Sequence, residues 1–227
     1  AAQNSAGTTY GTEKSFTTLD TTAPTSSISI SGGASYTKSS TITLNLSATD
    51  DVGVTGYYLS NSATVPSASA VGWISITSTP SYSGSVSYSL SSGDGSKTVY
   101  VWYKDAAGNV STAASDSITL DTTTPAITIT SPTSSATYTT ASNTINLGGS
   151  ASDSASGVSS VTWSSDKGGS GTASGTANWS ISGITLSSEN NVITVTVTDS
   201  ANNTGSATIT VTYGAVPTAT TGSSTNI

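Results

Sequence analysis

The sequence predicts an all-β chain, two tandem antiparallel β-sandwich domains in an elongated string. Three observations predict it. Apolar residues alternate with hydroxyl-bearing ones at period 2, which gives a strand one buried and one solvated face. Glycine, serine, asparagine and proline turns punctuate these runs, as in "LSSGDGS" (90–96) and "LSSENN" (186–191), and no run has a helical period. A six-residue phrase also recurs, "LDTTAP" at 19–24 and "LDTTTP" at 120–125, 101 residues apart. Repetition at that spacing means tandem domains rather than a solenoid of short units.

Each element follows from laying the second phrase on the first. "TITLNLSATD" (41–50) then meets "TINLGGSASD" (144–153), with Ile42, Leu44, Leu46 and Ala48 opposite Ile145, Leu147, Gly149 and Ala151. "GVTGYYLS" (53–60) meets "GVSSVTWSS" (157–165) as a third strand. "KTVYVWYKDAAGN" (97–109) meets "NVITVTVTDSANN" (191–203), so Val99, Val101 and Tyr103 take the places of Ile193, Val195 and Val197. About seven short strands in some 100 residues without helices read as a sandwich of immunoglobulin type. Trp163, two residues after Val161, is expected in the core of the second copy. Trp102 is out of phase with Val101 and Tyr103, which places it on the outer face or under a loop.

Composition narrows the function. Only 33% of residues are hydrophobic and 7% charged, and serine and threonine fill the gap, as in secreted β-proteins that solvate one sheet face with hydroxyls. Four Trp and ten Tyr inside alternating runs argue against disorder. The net charge is −7 and arginine is absent, so neither a nucleic-acid backbone nor an anionic membrane surface is an expected partner. No apolar run is long enough for membrane insertion. Without cysteine there are no disulfides or thiolate metal sites, and without histidine the commonest catalytic base is missing, so an enzyme is not expected. The opening "AAQNS" is not a signal peptide and reads as a mature or trimmed start.

"LDTTAP", "SATDDVGV", "YVWYKDAAGNVS" and "NVITVTVTDSANNTGSATITVTY" resemble the bacterial Ig-like repeats strung along surface adhesins, stalks and secreted multidomain enzymes. The opening "AAQNSAGTTYGTEKSFTT" resembles the last two strands of a fibronectin type III domain. The resemblance implies four segments. Residues 1–18 are a fibronectin type III-like remnant, 19–119 and 120–213 are Ig-like domains, and 214–227 are a linker or tail. Gly214 stands where Asp121 follows the first copy, so the phrase is not written a third time.

Sandwich connectivity gathers three distant acids at one pole of each copy. In the first these are Asp20, Asp50 and Asp105; in the second, Asp121, Asp153 and Asp199. Carboxylates that meet at ~5 Å repel by roughly 3 kcal/mol per pair at an effective dielectric of ~20. The site must therefore protonate, splay into water or hold a cation. Oxygen ligands without His or Cys select a hard ion, and a loop cage favours Ca2+ over Mg2+. The amides of Asn109 and Asn203 are further candidate ligands, and Asp51 an accessory one. The same "DAAGN" stretch is equally a sound Asx turn. Asp94, Asp116 and Asp166 are expected simply to be solvated.

The resulting expectation is an extracellular or cell-surface spacer segment of an adhesin or fibre, stiffened by structural Ca2+ at domain junctions. Its expected partners are neighbouring domains of the chain, with like chains in a fibre or a cell-surface ligand as further candidates. The alternative is a carbohydrate- or ligand-binding accessory module of a secreted enzyme, suggested by the dense aromatics Tyr57, Tyr58, Tyr100, Trp102 and Tyr103. The second copy has no matching aromatic row, which favours the spacer.

Overall fold

The chain is described by a computed structural model covering residues 2–4, 7–9 and 18–214. At its start, β1 (Ala2–Asn4) pairs antiparallel with β2 (Gly7–Thr9). The rest of the expected fibronectin type III remnant, and the tail beyond Gly214, lie outside the described residues.

The first repeat contributes β3 (Ser27–Ile30), β4 (Tyr36–Thr37), β5 (Thr41–Ser60), β6 (Ile74–Ser89), β7 (Gly95–Asp105) and β8 (Ala114–Leu120). They run β3-β5-β7-β8-β4, with β6 paired to β5. The stretches 41–50 and 53–60 are one bent strand rather than two. Burial alternates strictly from Ile42 to Asp50, and the phase then breaks at the exposed Val52, next to Gly53, whose φ of 144° suits only glycine.

The second repeat contributes β9 (Ala126–Ser131), β10 (Thr137–Thr140), β11 (Thr144–Ser152), β12 (Val158–Ser165), β13 (Ser170–Thr172), β14 (Asn178–Thr185), β15 (Glu189–Asp199) and β16 (Thr204–Tyr213). These form two sheets, β14-β11-β9 and β10-β16-β15-β12-β13. Ile145, Leu147, Trp179, Ile181 and Ile184 from one sheet share a buried core with Val161, Ile193, Val195, Val197, Ile209 and Val211 from the other. The fold is thus an all-β immunoglobulin-like sandwich. Both repeats bring a short strand parallel to their last one, β4 on β8 and β10 on β16. Both also close the same way: Asp121 N–H donates to Thr37 O, and Gly214 N–H donates to Thr140 O. By packing, the described residues group into two compact units, one with 2–4, 7–9, 18–28, 45–85 and 99–115, the other with 29–44, 86–98 and 116–214.

The tryptophans correct one expectation and refine another. In the second repeat the deeply buried one is Trp179, at 2% exposure, whereas Trp163 is only half-buried. Trp163 lies against Gly169 and Gly171 near the edge strand β13, where too little chain covers it. Gly149, aligned with Leu46, leaves open the space that the Trp179 ring fills from the facing strand. Trp102 is fully buried although its strand phase points outward. Its ring stacks on Tyr100 and meets Tyr58 edge-on. The connection 61–73 folds over this face, Trp73 packing on Tyr58 and the Lys104 ammonium bonding Ala68 O while lying over the Trp73 ring.

On the other side of β7, Tyr103 is buried, donates its hydroxyl proton to Ser27 O, and packs with Tyr82, which stacks on Tyr57. Burial pushes the phenols of Tyr57, Tyr82 and Tyr103 above their ordinary range, Tyr103 furthest. A group whose folded pKa is raised gives stability that is complete below its unfolded value and lost as pH rises toward the folded one. Stability is therefore expected to hold up to about pH 10 and then fall. Urea melts between pH 8 and 12, followed by tyrosinate absorbance, check this; a flat profile to pH 12 would contradict it.

Candidate metal centres

The structure brings together both predicted triads. In Asp20, Asp50 and Asp105, and again in Asp121, Asp153 and Asp199, one oxygen from each residue lies within 4.8 Å of the others. Asp50, Asp105, Asp121 and Asp199 are buried, Asp121 completely.

Local chain geometry aims these side chains. Asp20 follows Leu19 and uses Oδ1 to accept the Thr22 N–H, closing an Asx turn; Asp121 does the same with Thr123. The buried Pro24 and Pro125 then open each sandwich. Asp50 Oδ1 accepts N–H bonds from Val52 and Gly53 at the bend of β5. Asp153 Oδ1 accepts three, from Ala155, Ser156 and Gly157. That tighter turn explains why β11 and β12 are separate strands while β5 is continuous. Asp105 Oδ1 accepts Gly108 and Asn109 N–H, and Asp199 Oδ1 accepts Asn203 N–H.

In every acid Oδ1 is thus tied to backbone. Oδ2 differs: those of Asp20, Asp50, Asp121 and Asp153 are buried with no hydrogen-bond partner. Buried polar atoms are nearly always satisfied, and an unpaired carboxylate oxygen is costly. Four such atoms, two per triad, fit a bound cation. All the oxygens are hard donors, and fixing Oδ1 by backbone leaves Oδ2 as a single preset ligand atom.

The asparagines take a different part from the one expected. Asn109 Nδ2 donates to Asp105 Oδ2 and to Asp20 O; Asn203 Nδ2 donates to Asp199 Oδ2 and to Asp121 O. Each amide faces the acids through nitrogen, so it ties the third aspartate to the first instead of presenting oxygen. Asp51, the accessory candidate, is exposed.

Three acids expected to be merely solvated hold backbone. Asp116 Oδ2 accepts the Ile30 N–H at 2.7 Å, and Asp166 Oδ1 accepts that of Val192 at 2.8 Å. Asp94 accepts three bonds from the 120–125 phrase, from Thr122 N and Oγ1 on Oδ1 and from Thr123 Oγ1 on Oδ2. The only hint of this in the sequence is the Gly-Asp-Gly setting of Asp94, which marks a tight turn and not what it grips.

Residues 127–213 match the family described as K319L-like, PKD domain, which covers the second repeat. No curated protein matches the chain. Among solved structures it is similar to the fibronectin(III)-like modules of CbhA from Clostridium thermocellum, at 16% identity over 82% of this chain and 94% of that one, TM-score 0.46. It is also similar to a tetra-tandem repeat in the extending region of a large adhesion protein, at 22% identity over 82% of this chain and 49% of that one, TM-score 0.32. The D00-D0 domain of intimin matches at 12% identity over 82% of this chain and 99% of that one, TM-score 0.37.

Proposed function

We propose that this string of immunoglobulin-like β-sandwich repeats is a structural spacer of an extracellular, bacterial surface-adhesin or fibre protein, stiffened by Ca2+. Asp20, Asp50 and Asp105 would hold one ion; Asp121, Asp153 and Asp199 would hold another. The observation that carries this reading is the set of four buried, unpartnered Oδ2 atoms, two in each acidic cluster. The ion would supply charge neutralisation alone. The chain's own part is to preset the oxygens through backbone bonds to Oδ1 and to tie strand ends together through Asn109 and Asn203. Extracellular sites of this type bind with Kd of about 10⁻⁴–10⁻³ M.

The carbohydrate-binding alternative has less support. Tyr57, Trp102 and Tyr103 are buried, so they offer no platform for a sugar ring.

Two measurements test the proposal. Titrating chelator-treated protein with Ca2+ in a calorimeter should give saturable heat, and tenfold excess over Kd should add about 1.4 kcal/mol of stability per site. Small-angle scattering should show a larger maximum dimension with Ca2+ than with chelator. Heat-silent titration with an unshifted melt would remove the ion, and an unchanged dimension would remove the stiffening. Asp153→Asn sharpens the test. It keeps an oxygen for the three backbone bonds while deleting one charge, and with it two of the three pairwise repulsions, so ion-free protein should gain stability, at most the ~6 kcal/mol of two pairs at ~5 Å. The variant should also lose its response to Ca2+ at that site, as read by comparing melts with and without the ion.

A further inference from the structure

The run Asp121–Thr123 is gripped from several sides. Asp121 N–H donates to Thr37 O at 2.9 Å, and Asp121 Oδ1 accepts the Thr123 N–H at 3.0 Å. From the 90–96 turn, Asp94 Oδ1 accepts Thr122 N–H at 3.0 Å and Thr122 Oγ1 at 2.8 Å, while its Oδ2 accepts Thr123 Oγ1 at 2.6 Å. Thr123 is therefore fixed through its hydroxyl by Asp94 and through its amide by Asp121. The Asx turn so closed is the one that leaves Asp121 Oδ2 buried and unpartnered in the second triad. A second tie reaches the same triad: Lys38 Nζ donates to Asn202 O at 2.9 Å. Asn202 has φ of 69° and lies within the 199–203 turn that binds Asp199.

We propose that Asp94 is a positioning residue for the second acidic cluster, setting its cation affinity by holding Thr122 and Thr123, with Lys38 supporting the Asp199 turn. The proposal rests on the cation reading above. Asp94 touches none of the three ligand carboxylates; it acts through the turn that aims one of them. A monodentate oxygen loses affinity when its turn is free to rotate, because the ordering cost then falls on binding. The three bonds also hold the Asp94 carboxyl below its ordinary range, the Thr123 hydroxyl foremost and then the Thr122 amide and hydroxyl. The latch is thus a bond to a carboxylate, present at neutral pH and lost as pH falls through its lowered pKa. Gly93 and Gly95, at φ of 80° and 117°, give the turn its shape.

The test uses the full chain in two backgrounds. Asp50→Asn silences the first triad so that calorimetry with Ca2+ reads the second alone, and Asp153→Asn does the reverse. Asp94→Asn in the first background is expected to weaken Ca2+ binding about tenfold, the lower end of what losing an outer partner of a ligand costs. Thr123→Val should weaken it comparably, and the two together little further, since they break one linkage. In the second background Asp94→Asn should leave affinity unchanged. Amide exchange at Thr122 in ion-free protein should quicken in Asp94→Ala, which leaves no oxygen for the Thr122 N–H, and its Ca2+ affinity in the first background should fall at least as far as that of Asp94→Asn. Asp94 is exposed, so the substitution leaves the core intact. Faster exchange with unchanged affinity would overturn the proposal, because Asp94 would then be structural only. Absence of Ca2+ heat in both unmutated triads would instead remove the cation reading and this inference with it.

Discussion

Gly149→Ala is expected to destabilise the second repeat by about 3 kcal/mol or more, a large value for one added methyl. A Cβ at Gly149 would collide with the Thr128 carbonyl oxygen and stand 2.6 Å from Trp179 Cζ2. The carbonyl belongs to the paired strand β9, where Ser150 faces Thr128 and Gly149 faces Ile129, so it cannot withdraw without breaking the ladder. The ring belongs to β14, where Trp179 faces Gly149. Urea melts of Gly149→Ala, Trp179→Leu and the double variant measure the coupling. Shortening Trp179 removes one collision and leaves the other, so about 1 kcal/mol of the damage should be recovered in the pair. Full additivity would show that the ring is not what fills the position of the missing side chain.

Trp102→Ala is expected to cost about 3–5 kcal/mol, the range for emptying a buried aromatic site. The side chain is fully buried against Tyr58 and Tyr100, and Tyr58 in turn carries Trp73 of the 61–73 connection, so its removal also loosens the support under that connection. Proteolysis should then begin within residues 61–73. Trp102→Phe should be far milder, within about 1 kcal/mol. It gives up ring area, but it also removes the Nε1 proton, which is buried without an acceptor and costs about 1–3 kcal/mol to leave unpaired. Equal losses in the two variants would mean that the indole N–H has a partner, such as water, and contributes to stability.

Much of the architecture is legible in the chain because burial on one sheet face imposes a period of 2. Ile42, Leu44, Leu46 and Ala48 are buried as their alternation says, and so are Ile193, Val195 and Val197. The acids of each triad are legible for a related reason: a repeated phrase and repeated turns place them at strand ends that sandwich connectivity brings to one pole. Periodicity fails where a residue is covered from outside its own sheet. Trp102 lies on the outward face and is buried by a connection folded back over it, while Trp163 lies on the inward face and is only half-covered beside a three-residue edge strand.

Asn191 marks another limit. It is fully buried and holds the 187–191 turn through bonds to Ser187, Glu189 O and Val211 O, yet in the sequence it is one polar residue in a turn-forming run. Asp94 is similar: turn chemistry marks where it sits, and only the fold brings Thr122 and Thr123 to it, 28 and 29 residues away.

By itself the sequence determined which strand positions alternate inward, that one run of strands and turns is written twice, and which six aspartates can meet. Those properties follow from strand period and chain connectivity, which are local or repeated and therefore readable along one dimension. Tertiary structure decided which oxygens are spent on backbone and which stay free, that Asn109 and Asn203 turn nitrogen toward the acids, and that Asp94 grips the next repeat's first turn. The physical reason is that hydrogen-bond direction depends on ångström-scale placement of groups far apart in the chain, a quantity that no pattern of residue types encodes.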